Sequence, residues 1–311
     1  MRFGVDLGGT KTEILALDDD GEVRLRERVA TPAASGSSLS QQREQYEQIV
    51  LMIRDLVKSS ETRLQKTGSV GIGIPGTISP ATGRVKNANT VCLIGREFDR
   101  DLAAALGREV RLANDANCFA LSEASDGAGA GQAVVFGVII GTGCGAGVVV
   151  NGQVLEGPNS ITGEWGHNPL PWIRQDEFPG PNCYCGKRAC IETYLSGTGI
   201  RRDHAESTGQ DLAAQEILRL AQSGDLRALA SIERYEDRMA RSLASVINVL
   251  DPNVIVFGGG MSNVERIYEQ LPKLLKKYVF SDEVATKLTP ARHGDSSGVR
   301  GAAWLWPIKQ K

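Results

Sequence analysis

The chain has 311 residues, 41% of them hydrophobic and 23% charged, with a formal charge of −2, the makeup of a globular protein with material for about two domains. A balance so near zero gives no electrostatic reason to expect nucleic acid or an anionic membrane as a partner, so an anionic small molecule must be held by local groups. No apolar run reaches spanning length, and the opening MRFGVDLGGTKTEIL breaks into glycines after Arg2 and Asp6, unlike the unbroken core of a signal peptide.

Arg2 to Leu7 alternates and gives way to Gly8, Gly9 and Thr10, and a second apolar run follows from Thr12 to Leu17. Two strands joined by this turn predict a hairpin whose backbone amides are uncovered, which suits close approach to phosphate oxygens. Asp18-Asp19-Asp20-Gly21 then turns the chain into a strand near Glu22 to Val29. Gln42 to Leu64 carries Tyr46, Ile49, Val50, Ile53, Leu56 and Val57 at helical spacing, a core stripe. Strands at Ser69 to Ile74 and Val110 to Ala113 end at Pro75-Gly76-Thr77 and Asn114-Asp115, where an α/β sheet usually meets its ligands.

The opening device recurs at mid-chain. Val134 to Ile140 reads as a strand, Gly141-Thr142-Gly143 as a turn, Gly145 to Val150 as a strand, and Asn151-Gly152 as a type I′ hairpin turn. An internal duplication follows: two similar α/β domains, each offering a glycine hairpin to one nucleotide across a cleft. Leu212 to Leu250 reads as helices and Asn253 to Phe257 as a strand. Gly258-Gly259-Gly260 then opens into a helix capped by Ser262, and Gly298 to Ile308 predicts a closing helix docked on the first domain.

The stretch GEWGHNPLPWIRQDEFPGPNCYCGKRACIE, residues 163–192, gathers Glu164, His167, Cys183, Cys185, Cys190 and Glu192. Three thiols and an imidazole are the Cys₃His set that a structural zinc takes, and clustered cysteines in a reducing cytoplasm favour a metal over disulfides. A pair of buried thiols beside an unrelated histidine is the plainer alternative. Pro179, Gly180, Pro181 and Gly186 mark a loop that lacks the apolar content to hold itself. A histidine that gives one ring nitrogen to zinc keeps the other for a ligand hydroxyl, so the ion shapes a polar pocket; with four protein ligands it activates no water.

Asp115 is the candidate general base, a carboxylate at a strand end able to take a proton from a sugar hydroxyl; capping the helix Ala116 to Ala124 is its plain alternative. Gly141-x-Gly143-x-x-Ala146 nominally fits a dinucleotide fingerprint, but a strand follows where that motif needs a helix, and no Walker sequence occurs. Phosphates are therefore expected on the hairpin amides, with Thr10, Lys11 and Thr142 assisting. Asp6 is placed to hold Mg²⁺ directly or through water, or else simply forms the strand-end turn.

In order along the chain stand DLGGTKT, GIGIPGTISPATG, KNANT, LANDANC, IIGTGCGAG, GEWGHNPLP, CYCGKRACIE, VIVFGGGMS and HGDSSGVRGAAWLW. Together they resemble the ROK family of sugar kinases and repressors, within the actin and hexokinase superfamily, over the whole length. LANDANC, GEWGHNPLPW and HGDSSGVRGAAWLWP most resemble the family's bacterial fructokinases of the manno(fructo)kinase type.

The resemblance implies an α/β fold of two duplicated actin-like, RNase H-like ATPase domains flanking a nucleotide cleft. These are residues 1–117, with a helix near 297–311 packing back, and residues 118–296, with a zinc loop at 167–190. It further implies an ATP- and Mg²⁺-dependent hexose kinase, a fructokinase forming fructose 6-phosphate with mannose as second substrate. Asp115 would be the base, and Gly76, Thr77, Asn89, Asn114, Glu164, His167 and Glu192 would hold the sugar beside it. His167, Cys183, Cys185 and Cys190 would bind structural Zn²⁺. Gly8, Gly9, Thr10, Lys11, Gly141, Thr142 and Gly143 would cradle ATP phosphates, and Gly258, Gly259 and Gly260 would lie against adenosine.

A glucokinase or N-acetylglucosamine kinase is the alternative within the family. A sugar-sensing repressor is the non-enzyme alternative, disfavoured because the first strand begins at Arg2 and leaves no room for a helix-turn-helix. A homodimer is expected on resemblance alone. One departure stands out: Ala189 occupies the second glycine of the family's C-x-C-G-x-x-G-C, at a cost of about 1 kcal/mol if that position needs positive φ.

Overall fold

A computed structural model describes residues 1–34 and 36–307. β1 (Arg2–Leu7) and β2 (Lys11–Leu17) form the expected antiparallel hairpin, with Leu7 opposite Thr12. β3 (Val23–Ala30) adds antiparallel to β2, while β4 (Ser69–Ile74) runs parallel to β1. After a short ribbon of β5 (Thr77–Ile78) and β6 (Val85–Lys86), β7 (Val110–Asn114) joins parallel to β4, giving the order β3-β2-β1-β4-β7.

The second sheet repeats that plan. β8 (Val134–Ile140), β9 (Cys144–Val150), β10 (Gln153–Val154), β11 (Val254–Gly258) and β12 (Lys287–Pro290) stand in the order β10-β9-β8-β11-β12. In each sheet the order by sequence is third, second, first, fourth, fifth, so the duplication read from the two glycine hairpins holds for the topology. Asn151 and Gly152 both have positive φ, 49° and 75°, as the type I′ turn requires.

α1 (Leu39–Leu64) starts at a capping box of Ser38 and Gln41 and buries Tyr46, Ile49, Ile53, Leu56 and Val57 in one cluster with Phe3, Val5 and Ile72. The remaining helices are α2 (Phe98–Leu106), α3 (Asp115–Ser125), α4 (Glu192–Leu195), α5 (Gly197–Thr208), α6 (Ala214–Gln222), α7 (Leu226–Leu250), α8 (Glu265–Leu275) and α9 (Ser297–Trp304). Two expectations are corrected. Ser262 does not cap α8: its hydroxyl donates to the Gly259 carbonyl at 2.7 Å within a tight turn, and Val264 is the N-cap residue. The closing helix stops at Trp304, because Pro307 disfavours helical geometry at Trp306. Residues 308–311 of that expectation lie outside the described residues.

Two compact units result. One comprises Met1–Gly131, Gly147–Thr162 and the chain from Arg292 onward; the other comprises Gln132–Ala146 and Gly163–Ala291. In the first, α9 lies so close on the sheet that a Cβ at Gly71 would fall 1.8 Å from the Ala302 carbonyl oxygen, which only glycine allows. No helix among the described residues is long and apolar enough to cross a membrane.

The second unit is fastened by a buried ionic network. Arg241, on α7, donates to both oxygens of Glu177, at 2.6 and 2.9 Å, and to the carbonyls of Pro171 and Trp172 at 3.1 and 2.9 Å. Arg238 donates to Glu177 at 2.9 Å and to Asp203 at 2.6 Å. Burial pushes the Glu177 carboxyl up, but bonds from Arg241, the Arg174 amide and Arg238 outweigh it and bring the group down to about 2.

A carboxyl depressed from 4.5 in the unfolded chain stabilises the fold above about pH 4.5, and that contribution, ~3 kcal/mol, is lost as pH falls through 2. Glu177→Gln removes the carboxylate shared by two buried guanidinium groups, leaving Arg238 with Asp203 and Arg241 with Asp237, and is expected to cost about 3 kcal/mol at pH 7 in urea denaturation. The gap to the unaltered protein should narrow between pH 4.5 and 2. A gap independent of pH would show that the carboxylate charge is not what holds the loop.

Candidate active site

Parallel pairing brings the candidate residues of the first unit to one sheet edge. Asp6 stands opposite Gly73, and Ile74 opposite Asn114, so Asp6, Gly76, Thr77, Asn114 and Asp115 all fall at the C-terminal ends of β1, β4 and β7. Asn114 is the N-cap of α3; its Oδ1 accepts from the Ala116 amide at 2.9 Å, and its Nδ2 donates to the Gly76 carbonyl at 3.3 Å. Asp115 Oδ1 accepts from the same Ala116 amide at 2.8 Å. The capping duty is thus shared, which releases Asp115 from a purely structural reading.

Surrounding protein raises the Asp115 carboxyl above its ordinary range, opposed by the Ala116 amide and Asn114. Asp6 is pushed up to about 6, first by burial and then by the charge of Asp115.

The hairpin turn leaves Gly9, Thr10 and Lys11 exposed. Thr31, which sequence reasoning missed, secures it: its hydroxyl donates to the Gly8 carbonyl at 2.8 Å, and its amide donates to the Thr10 carbonyl at 3.0 Å. Asn89 is exposed in the segment after β6.

In the second unit Gly141-Thr142-Gly143 closes on itself, the Gly141 amide donating to the Gly143 carbonyl at 3.0 Å. The Cys144 amide donates to Glu192 Oε2 at 3.0 Å, which ties this turn to the end of the cysteine loop. Gly258, Gly259 and Gly260 come to the same edge, since Gly258 stands opposite Ile139 and Gly259 packs on Ile140.

The metal candidates converge. One donor atom from each of His167, Cys183, Cys185 and Cys190 lies within 4.8 Å of all the others. Cys185 and Cys190 sulfurs are 3.7 Å apart, and Cys183 Sγ lies 3.6 Å from His167 Nδ1. A tetrahedral zinc with Zn–S near 2.3 Å and Zn–N near 2.05 Å has edges of about 3.8 and 3.6 Å, so the four residues fit that ion.

His167 is less free than expected. Its Nε2 pairs with the Tyr184 hydroxyl at 2.9 Å and lies 4.0 Å from Glu164 Oε2, so the nitrogen read as open to a ligand already has a partner. Tyr184 sits between two of the cysteines with 80% of its surface exposed. Burial, then the charges of Glu192 and Glu164, push its hydroxyl up to about 12. Ala189 has φ 56°, the left-handed geometry for which the family uses glycine, and its methyl packs with Leu170 and Tyr194. About 0.8 kcal/mol of methyl burial offsets most of the strain.

Two sheets of one strand order, each with a glycine turn beside a carboxylate, define an α/β fold of duplicated, actin-like type. The chain belongs to the ROK family, whose sequence model matches residues 2–309. A ROK hexokinase from Thermus thermophilus is 31% identical with TM-score 0.83, over 97% of this chain and 96% of that one. A ROK glucokinase from Streptomyces griseus, solved with glucose and AMPPNP, is 26% identical with TM-score 0.75, over 98% of each chain.

An N-acetyl-D-glucosamine kinase from Yersinia pseudotuberculosis serotype O:1b is 41% identical over 309 residues, 98% of both chains. Other relatives matched at 40% or 41% are N-acetyl-D-glucosamine kinases too. That finding overturns the resemblance to fructokinases and the fructokinase activity expected from it.

Gly259 gives a sharp test of the second sheet edge. With φ 77° and a would-be Cβ 2.3 Å from the Ile140 carbonyl oxygen, Gly259→Ala is expected to cost more than ~2 kcal/mol. Gly260, with nothing within 4 Å, should tolerate alanine within about 0.5 kcal/mol. Thermal melts of the two variants check this; equal losses would mean that the β11 end does not abut β8 so closely.

Proposed function

We propose that the chain is an ATP- and Mg²⁺-dependent N-acetyl-D-glucosamine kinase that phosphorylates the sugar's primary 6-hydroxyl. The observation that carries this reading is the 41% identity, over 98% of both chains, to a kinase of that sugar. Asp115 supports it, a carboxylate at a sheet edge with a raised pKa, suited to accept the hydroxyl proton as oxygen attacks the γ-phosphorus.

Asn114, Gly76, Thr77, Asn89, Glu164, His167 and Glu192 are the residues we assign to sugar hydroxyls. Exposed Tyr184 yields its place on His167 Nε2 to the substrate. The amides of Gly8 to Lys11 and of Gly141 to Gly143 receive phosphate oxygens, and Gly258 to Gly260 lie against the adenosine. Asp6 holds Mg²⁺, which supplies charge neutralisation on the phosphates. His167, Cys183, Cys185 and Cys190 hold Zn²⁺, which supplies a crosslink and leaves no coordination position for water.

With ATP and Mg²⁺, kcat/KM for N-acetylglucosamine is expected to exceed those for glucose, mannose and fructose by about tenfold or more. A preference for glucose or mannose would place the chain elsewhere in the family. Asp115→Asn should lower kcat by about 10²–10⁴ while calorimetry still detects sugar binding. If kcat survives within about tenfold, Asp115 is not the base.

A further inference from the structure

A cavity of about 110 Å³ opens within the first unit beside Asn114, and its walls include Thr77, Ile78, Asn117, Leu155 and Thr162. We infer that this cavity seats the 2-acetamido group of the substrate and sets the preference for N-acetylglucosamine over glucose. The inference rests on the N-acetylglucosamine reading above and adds to it the residues that make the choice.

Three observations carry it. The first is position. Asn114 is shared between the cavity and the strand-end cluster, and Asn117 lies two residues beyond Asp115 on the first turn of α3. In a pyranose, C2 lies across the ring from C5, which bears the 6-hydroxymethyl group. A sugar whose 6-hydroxyl meets Asp115 thus carries its 2-substituent one ring-width away, within reach of a space that begins at the neighbouring residue.

The second is chemistry. An acetamido group adds a methyl, an N–H and a carbonyl, so its seat needs an aliphatic wall together with amide or hydroxyl partners. Ile78 and Leu155 supply the wall, and Thr77, Thr162 and Asn117 supply the polar groups. Asn117 Oδ1 is shut off from solvent with no hydrogen-bond partner among the described residues. A buried carbonyl left this way is costly, and a half-turn about χ2 presents either end of the amide to a ligand.

The third is size. A cavity of about 150 Å³ admits benzene. One of about 110 Å³ therefore takes an acetamido group with room for roughly one more methylene. Glucose, with only a hydroxyl at C2, leaves the aliphatic wall facing water and the amide unpaired. Pockets of this kind discriminate by about 10–200-fold.

The first arm of the test uses the unaltered protein with ATP·Mg²⁺ and a series of N-acylated glucosamines. N-propionylglucosamine should keep kcat/KM within about tenfold of the N-acetyl sugar, and N-benzoylglucosamine should lose more than about 100-fold. The second arm narrows the cavity with Ile78→Phe and, should that variant not fold, Leu155→Phe. Its readout is the ratio of kcat/KM for N-acetylglucosamine to that for glucose, expected to fall at least tenfold.

A ratio unchanged by the filling residue, or an acyl series with no size limit, overturns the cavity assignment while leaving the kinase reading intact. Failure of the unaltered protein to phosphorylate N-acetylglucosamine, with turnover of another hexose, overturns the reading itself and the inference with it.

Discussion

The constraint on which the second unit's functional face depends is the meeting of three sulfurs and one imidazole at zinc-like separations. Residues 163–192 contain too little buried apolar surface to fold alone, and short bridges such as Pro169 to Cys190 and Asn182 to Arg188 are the only ladder pairs among their described residues. The proposed metal crosslink through His167, Cys183, Cys185 and Cys190 would fix both ends of the loop at once. At one end it sets the ring of His167 and, three residues earlier, Glu164. At the other it delivers Glu192, whose carboxylate caps the Cys144 amide and so shapes the Gly141 to Gly143 turn. One cluster would thereby couple the proposed sugar partners to a proposed phosphate turn.

The first unit solves the matching problem with backbone. Parallel strands end together, so the register of β1, β4 and β7 aligns Asp6, Gly76 and Asn114 with no special contact between them. α9 presses on the sheet at glycine positions, and α3 carries Asp115 on its first residue, where the orphan amides of a helix start favour a carboxylate. That preference opposes the desolvation by surrounding protein that raises Asp115, and the net shift is upward. Asn117, which lines the cavity, follows two residues later, so the proposed base and the proposed selectivity element stand on one turn of one helix.

Much of this was legible in the sequence, for definite reasons. Hairpins declare themselves through glycine turns between alternating runs, and the Cys₃His set through its spacing, because both signals are local. What escaped notice is long-range. Thr31 meets the first turn only because β3 returns beside β2. Glu177 reads as one more acidic residue in QDEF until α7, some sixty positions later, brings Arg238 and Arg241 to it. Tyr184 was passed over because a tyrosine between cysteines looks like spacing. Ser262 carried a cap signature, but it was spent on the tight turn after β11. The fructokinase expectation failed for a related reason: it rested on local motifs such as LANDANC and GEWGHNPLPW, while Ile78, Asn117 and Leu155, which line the cavity proposed to choose the sugar, are scattered singly along the chain.

The most direct test of the account is zinc stoichiometry by elemental analysis, read together with sugar affinity before and after chelation. The account predicts one zinc per chain, retained on dialysis. Stripping it should weaken N-acetylglucosamine binding by about tenfold or more, with affinity restored on adding zinc back. A protein that contains no zinc yet binds the sugar with undiminished affinity would contradict the claim that a metal-held loop sets the orientation of His167 and Glu192.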